Sequence, residues 1–311
     1  FSTGDLAVSN NDEFLAYSID DKGGEYFTIF VRRIADNKII EKIEDTAGGI
    51  VWSYDDKSFF YRKHDSQKRP RQILQHKLGS PIKEDILIFE EQDERFTCSI
   101  DTTSCEKFYM IETSEHTTSE TYYFHKDEKK FEPKLFLKRE DGILYSMDSF
   151  DGYWYMHTNK DAEDFKILKC SNDKINDWKD FVPAKSGTLI GGLTFLKKWI
   201  IRSEISNALS KILVRSVETG NEEELIFTDE KVISPGVSLI RKDKNTDLIR
   251  VGYESPKTPN RIFEYNIQTK EKKIVKEQIV PSGHNRDDYV VERLTCESHD
   301  GQKIPMTVTY H

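Results

Sequence analysis

The chain has 311 residues, of which 36% are hydrophobic, 32% charged and 12% aromatic; that is enough for a sizeable core and too many rings for a disordered chain. No apolar run reaches the roughly 18 residues of a helical membrane span, and 9 Pro with 16 Gly are too few for a fibrous or linker-like protein. A net charge of -9, from 55 Asp plus Glu against 46 Lys plus Arg, argues against duplex nucleic acid as a partner.

Helical periodicity is almost missing along the chain. Short β-branched and aromatic runs alternate with polar turns, which predicts strands. The first cycle reads Leu6–Ser9, Phe14–Asp20, Phe27–Ile34 and Lys38–Glu44, with NND, DDKGGE and ADN as the reversals between them. IVWS, SFFYRKH, RQILQHKLG and DILIFEE form the next set, between Ile50 and Glu91. FTCSIDT, KFYMIET, ETYYFHK and PKLFLK follow from Phe96 to Lys138, then LYSMDSF, YWYMHTN, FKILKCS and DWKDFVP from Leu144 to Pro183. GGLTFLKK, WIIRSEIS, SKILVRSV and EELIFT lie between Gly191 and Thr228. SPGVSLIRK, LIRVGYES, RIFEYNI and KKIVKEQ end near Gln278. Units of four strands, each about 40–50 residues long, are the signature of a β-propeller. The fold class is therefore all-β, with four-stranded antiparallel blades of which about six are readable. The second strand of each unit (SFFY, KFYMI, YWYMH, WIIR) is the densest in apolar residues, as expected of strands buried between blades. The Gly-His and Trp-Asp marks of WD40 repeats are missing.

The stretch from about Pro281 breaks this pattern. YVVERLTCESHDGQKIPMTVTYH reads as two strands around HDGQ, and a lone hairpin needs a partner surface. It is expected to open another domain, cut off at His311. The chain also starts at Phe1 without an initiator Met, so it reads as a fragment.

Motifs for chemistry are scarce. No G-x-S-x-G elbow, H-E-x-x-H, P-loop or strand-coupled G-x-G-x-x-G occurs. The eight His residues stand singly, so no catalytic residue and no metal ligand is assigned, and no cofactor is expected. HTTSE (His116–Glu120) reads as a turn with side-chain-to-backbone hydrogen bonds. The acidic stretches Glu90–Glu94 and Glu222–Glu224 read as solvated loops, and Gly23–Gly24 as a hairpin turn. Cys98, Cys105, Cys170 and Cys296 show no ligand spacing and read as reduced, buried or half-buried thiols in a cytoplasmic protein.

Several segments carry a family resemblance. WSYDDKSFFYRKH (Trp52–His64), LGSPIKEDILIFEE (Leu78–Glu91) and FTCSIDTTSCEKFYMIETSEHTTSE (Phe96–Glu120) resemble a blade sequence of oligopeptidase B, within the prolyl oligopeptidase family of serine peptidases. SPKTPNRIFEYNIQTKEKKIVKEQIVPSG (Ser255–Gly283) resembles the last blade and its exit. YVVERLTCESHDGQKIPMTVTYH resembles the re-entry into the peptidase domain, through Glu292–Arg293, Asp300–Gly301 and Ile304–Pro305. The resemblance implies a propeller of seven blades, one lying upstream of Phe1, over residues 1–282. It implies that residues 283–311 begin an α/β-hydrolase domain whose Ser, Asp and His motifs lie beyond this chain. The implied role is to filter substrates by size for an enzyme cutting short peptides after Arg or Lys. The implied partners are such basic peptides and the peptidase domain of the same polypeptide, with no nucleic acid and no membrane. Substrate-binding residues stay unassigned. The alternatives are the propeller of a prolyl oligopeptidase, cutting after Pro, and a free-standing scaffold that binds a protein partner.

Overall fold

The computed structural model describes residues 1–175, 177–240 and 244–311. Six four-stranded sheets follow one another, each with its strands side by side in sequence order. The first holds β1 (Ser2–Val8), β2 (Phe14–Asp20), β3 (Phe27–Arg33) and β4 (Ile39–Thr46). The second holds β5 (Val51–Trp52), β6 (Ser58–His64), β7 (Pro70–Lys77) and β8 (Ile86–Glu90). In the third are β9 (Thr97–Thr102), β10 (Phe108–Ser114), β11 (Ser119–His125) and β12 (Lys134–Leu137). The fourth contains β13 (Tyr145–Phe150), β14 (Tyr153–Thr158), β15 (Lys166–Ser171) and β16 (Lys179–Val182). The fifth contains β17 (Thr188–Phe195), β18 (Trp199–Ser206), β19 (Leu209–Ser216) and β20 (Glu222–Glu224). The sixth contains β21 (Ser234–Leu239), β22 (Leu248–Glu254), β23 (Arg261–Asn266) and β24 (Lys272–Glu277). These are six blades of a β-propeller. A two-stranded hairpin follows, β25 (Val290–Glu297) with β26 (Lys303–Tyr310). Apart from two 3₁₀ turns (Ile82–Glu84 and Arg286–Asp288), no helix occurs among the described residues, and none is long and apolar enough to cross a membrane.

The strands expected from the sequence are present with small changes of boundary. EELIFT departs most: β20 stops at Glu224, although Leu225 N–H still donates to the Ile212 carbonyl (2.9 Å) and Leu225 and Phe227 stay buried on either side of an exposed Ile226. SPGVSLIRK is a strand as far as Leu239, and its Arg241 and Lys242 lie outside the described residues.

The chain divides into two compact units, residues 1–160 with 168–179 and residues 161–167 with 180–311. In the first unit, neighbouring residues of one strand serve opposite faces, as the period of two requires. Phe59 of β6 joins Ala16, Ile29, Val31 and Ile43 of the first blade. Phe60 turns the other way, to Ile100, Tyr109, Ile111 and Phe124 of the third. Its ring meets Tyr109 at 4.9 Å and Phe131 at 5.4 Å, both edge-on, the orientation that ring quadrupoles favour. Met110, beside Tyr109, packs instead with Trp154 and Cys170. The second unit repeats the scheme: Ile201, Ile212 and Val214 of the fifth blade pack on Ile249, Val251 and Phe263 of the sixth.

A repeated corner joins the first two strands of the first three blades. Ser9, Ser53 and Thr103 each end a first strand. Their N–H groups donate to the carbonyls of Phe14, Ser58 and Phe108, all at 2.9 Å. Each hydroxyl accepts from the same partner's N–H, at 2.9, 3.0 and 3.2 Å. The acidic residue three positions on (Asp12, Asp56, Glu106) takes a positive φ of 59°, 55° and 57°. Two corners also reach the next blade. Asp56 accepts from the N–H groups of Asn10 (2.7 Å) and Asn11 (2.9 Å), and Asp148 accepts from the N–H of Ser104 (2.6 Å).

Because Phe60 is fully buried between two blades, Phe60→Ala should lower unfolding free energy by about 3–5 kcal/mol. Leu87→Ala, at a half-exposed position, should cost about 1 kcal/mol or less. Urea denaturation of the two variants checks this.

Candidate functional site

The motifs singled out in the sequence fall mainly into structural roles. In HTTSE, His116 is exposed, while Thr118 Oγ1 accepts from Gly142 N–H (3.1 Å) and Ser119 Oγ donates to the Tyr145 carbonyl (2.8 Å). Gly23 and Gly24 lie in the β2–β3 loop, whose N–H groups at Lys22, Gly23 and Glu25 donate to the Asp20 carboxylate. The four cysteines are free; Cys98 and Cys170 are buried, Cys105 and Cys296 half-buried. The acidic stretches are mostly exposed as expected, except at Glu91, and Glu222–Glu224 form the edge strand β20 rather than a loop. Glu91 is buried, and Glu222 pairs with the buried Arg202, which also donates to Glu204 (2.8 Å).

Glu91 belongs to a fork on the third blade. Arg139 donates through Nε to Glu120 (2.6 Å), and through Nη2 to Glu91 (2.7 Å) and Thr113 (3.2 Å). Its guanidinium lies 3.9 Å from the centre of the Phe96 ring, so charge pairing and ring contact fix one orientation. A second buried array runs through the second blade. Asp85 accepts from Tyr61 OH (2.8 Å) and contacts His76 Nδ1 (2.7 Å), while His76 Nε2 faces Glu41 at 3.7 Å. His76 is wholly buried between carboxylates, an arrangement that orients an imidazole with no hydroxyl nucleophile on it.

The third cluster lies where the chain leaves the sixth blade. Glu230, on the link between β20 and β21, is half-buried with its side chain only 7% exposed. It accepts from the hydroxyls of Ser255, Thr258 (2.6 Å) and Tyr253 (3.4 Å), and faces Arg286 Nη2 at 3.4 Å. The SPKTPN loop that supplies Ser255 and Thr258 also meets the exit segment, through Lys257 O and His284 Nε2 (2.9 Å). Beside this socket is an open cleft of about 380 Å³ lined by residues including Leu209, Lys211, Phe227, Asp229 and Glu230. The hairpin then carries two unlike faces. Cross-strand pairing puts Val290, Leu294 and Cys296 on one face with Tyr310, Met306 and Ile304, and five of these six are more than a third exposed. The other face bears Arg293, which donates to Thr307 Oγ1 (2.9 Å) and to the Asn207 carbonyl of the β18–β19 turn.

Sequence reasoning missed the Glu230 socket because its members lie 23 to 56 positions from Glu230 and share no local pattern. The double-proline loop was its one visible trace. In all three clusters the carboxylates already hold the chain's own donors, so their chemistry is to fix loops and exits.

This architecture defines a β-propeller with a further hairpin beyond its last blade. The chain belongs to the prolyl oligopeptidase family of serine peptidases: residues 1–278 match the family described as "Prolyl oligopeptidase, N-terminal beta-propeller domain". It is 29% identical over 319 aligned residues to "Dipeptidyl aminopeptidase BI" of Pseudoxanthomonas mexicana, covering 100% of this chain and 43% of that protein. It is 27% identical to "Protease 2" of Moraxella lacunata, covering 95% of this chain and 43% of that protein. Among solved structures it resembles oligopeptidase B from Trypanosoma brucei with covalently bound antipain, in its closed form. The TM-score is 0.88 at 25% identity, over 99% of this chain and 45% of that one. The chain thus spans less than half the length of the curated relatives it matches.

Two outcomes check this description. Burial pushes the Cys98 thiol up to about 12 and the Cys170 thiol up to about 11, so both stay protonated at pH 8. Alkylation there should label the half-buried Cys105 and Cys296 first, with Cys98 and Cys170 following only on unfolding, as mass spectrometry would show. Glu230→Gln should speed hydrogen exchange across residues 283–289 at least several-fold, leaving the first blade unchanged.

Proposed function

We propose that this chain is the substrate-gating propeller of a serine oligopeptidase that cuts short peptides after Arg or Lys. On this reading, residues 1–282 form the propeller and residues 283–311 open an α/β-hydrolase domain that supplies the Ser–Asp–His triad. The chain by itself turns nothing over.

The observation that carries the reading is the β25–β26 hairpin. It lies past the residues matched to the propeller family and has one mainly apolar face, interrupted by Glu292, half open to solvent. Two strands cannot bury such a face by themselves, and a peptidase domain in the same polypeptide would cover it. Stacked blades restrict entry by size, which spares folded proteins and keeps water from the reacting centre. The preference for basic peptides is supported by likeness to proteins named Protease 2 and oligopeptidase B. The net charge of -9 supports it too, since an acidic surface draws cations at low salt. Four free thiols support a reducing, cytoplasmic setting. The likeness to a dipeptidyl aminopeptidase favours a second reading, removal of dipeptides from free N-termini.

The test uses the full-length polypeptide that contains this chain. It should release the chromophore from an N-blocked arginyl amide, lose that activity to a serine-reactive phosphonate, and leave a folded protein of the same composition intact. The isolated chain should give no turnover. Cleavage of prolyl amides alone would move the enzyme to the proline-specific branch. Cleavage of unblocked dipeptidyl amides alone would establish the second reading.

A further inference from the structure

We propose that the face of the third blade bearing Glu112 binds the guanidinium of an arginine side chain in the peptide. This inference rests on the reading above and deepens it, giving the basic substrate a recognition site on the propeller itself.

The two faces of β10 treat acidic residues differently. On one, Thr113 and Glu120 share the Arg139 fork with Glu91. On the other, Glu112 stands directly between Ser99 of β9 and Thr121 of β11, half-buried and with no hydrogen bond or ion pair to its carboxylate among the described residues. Burial pushes its carboxyl above the usual carboxylate range, because nothing compensates the lost hydration.

A second orphan shares this face. Thr121 is only 2% exposed, and its Oγ1 is buried without a hydrogen-bond partner. Buried hydroxyls in folded proteins are almost always satisfied. Directly opposed residues of an antiparallel pair project to the same side, so the unserved hydroxyl and the unserved carboxylate stand together. The same face continues along β9 to the exposed edge residues Ser99 and Asp101, which leaves it open from the β9 side.

Glu112, Asp101, Ser99 and Thr121 offer two carboxylates and two hydroxyls, with no ion pair to either carboxylate among the described residues; Asp101 accepts only from the Thr102 N–H (2.7 Å) there. A donor-rich planar cation answers that set, since guanidinium carries five N–H groups and no acceptor. An ammonium has three donors about one point and fits the spread-out pattern less well.

The experiment measures binding of acetyl-diarginine amide to the full chain by calorimetry, with the neutral dicitrulline isostere as control. The diarginine peptide should bind the wild-type protein, and the dicitrulline peptide should bind about tenfold more weakly or worse. Glu112→Gln should remove most of that difference, and Asp101→Asn, at an exposed edge that folding does not require, should reduce it several-fold. Equal binding of the two peptides, or an undiminished difference in both variants with native circular dichroism, would overturn the site. In parallel, arginyl-amide cleavage by the full-length polypeptide is followed for wild type and Glu112→Gln. Cleavage after Arg that Glu112→Gln leaves unchanged in KM refutes the site and spares the functional reading. Charge-selective binding that needs Glu112, in an enzyme that never cuts after Arg, refutes the functional reading and spares the site.

Discussion

A four-stranded sheet has two faces and can cover neither of them alone. That constraint explains most of what this chain does with its aromatic residues. Phe59 and Phe60 are neighbours on one strand, yet they belong to different cores because the pleat sends them to opposite sides. Tyr109 and Met110 repeat the division one blade later. The stability of a blade is therefore held jointly with its neighbours, as in other repeat architectures, where interfaces between units carry much of the free energy.

This joint ownership also explains why the buried polar clusters sit where they do. Arg139, Glu91 and Glu120 come from the second and third blades, and His76 of the second blade faces Glu41 of the first. Breaking such a group leaves an uncompensated charge away from water, which costs far more than the group contributes over an apolar substitute. Their best-supported use is to fix how blades and exits are set. The Glu230 socket does this for the segment from the sixth blade to the hairpin, holding Arg286 while Arg293 ties the hairpin to the β18–β19 turn.

The strands were legible in the sequence to within a few residues, because alternation, β-branched content and polar turns all agree within each unit. β2, β6 and β18 coincide with FLAYSID, SFFYRKH and WIIRSEIS. The reading faltered where a residue answers to a neighbour distant in sequence. LIF after Glu224 has the composition of a strand and keeps its alternation, with Leu225 and Phe227 buried about an exposed Ile226, but the ladder ends with the bond from Leu225 N–H to the Ile212 carbonyl. Glu91 sits in a run of acids that reads as solvent-facing, and Arg139, 48 positions away, joins the nearby Asp93 N–H in making its burial tolerable. The candidate site was illegible for the same reason: Glu112 stands out through what fails to approach it. The corner built on Ser9, Ser53 and Thr103 was open to view as a hydroxyl followed three places later by an acid, and it went unread because it bears no known repeat name.

Those corners bear on how the polypeptide comes to be folded as it leaves the ribosome. Each is closed by bonds spanning five residues, and its outward bonds go to the adjoining blade alone. A newly synthesised blade thus meets a finished surface on its N-terminal side and can condense on it without waiting for distant chain. Vectorial assembly of this kind keeps the longest unpaired stretch to about one blade at a time, and so limits the apolar strand exposed to aggregation during synthesis.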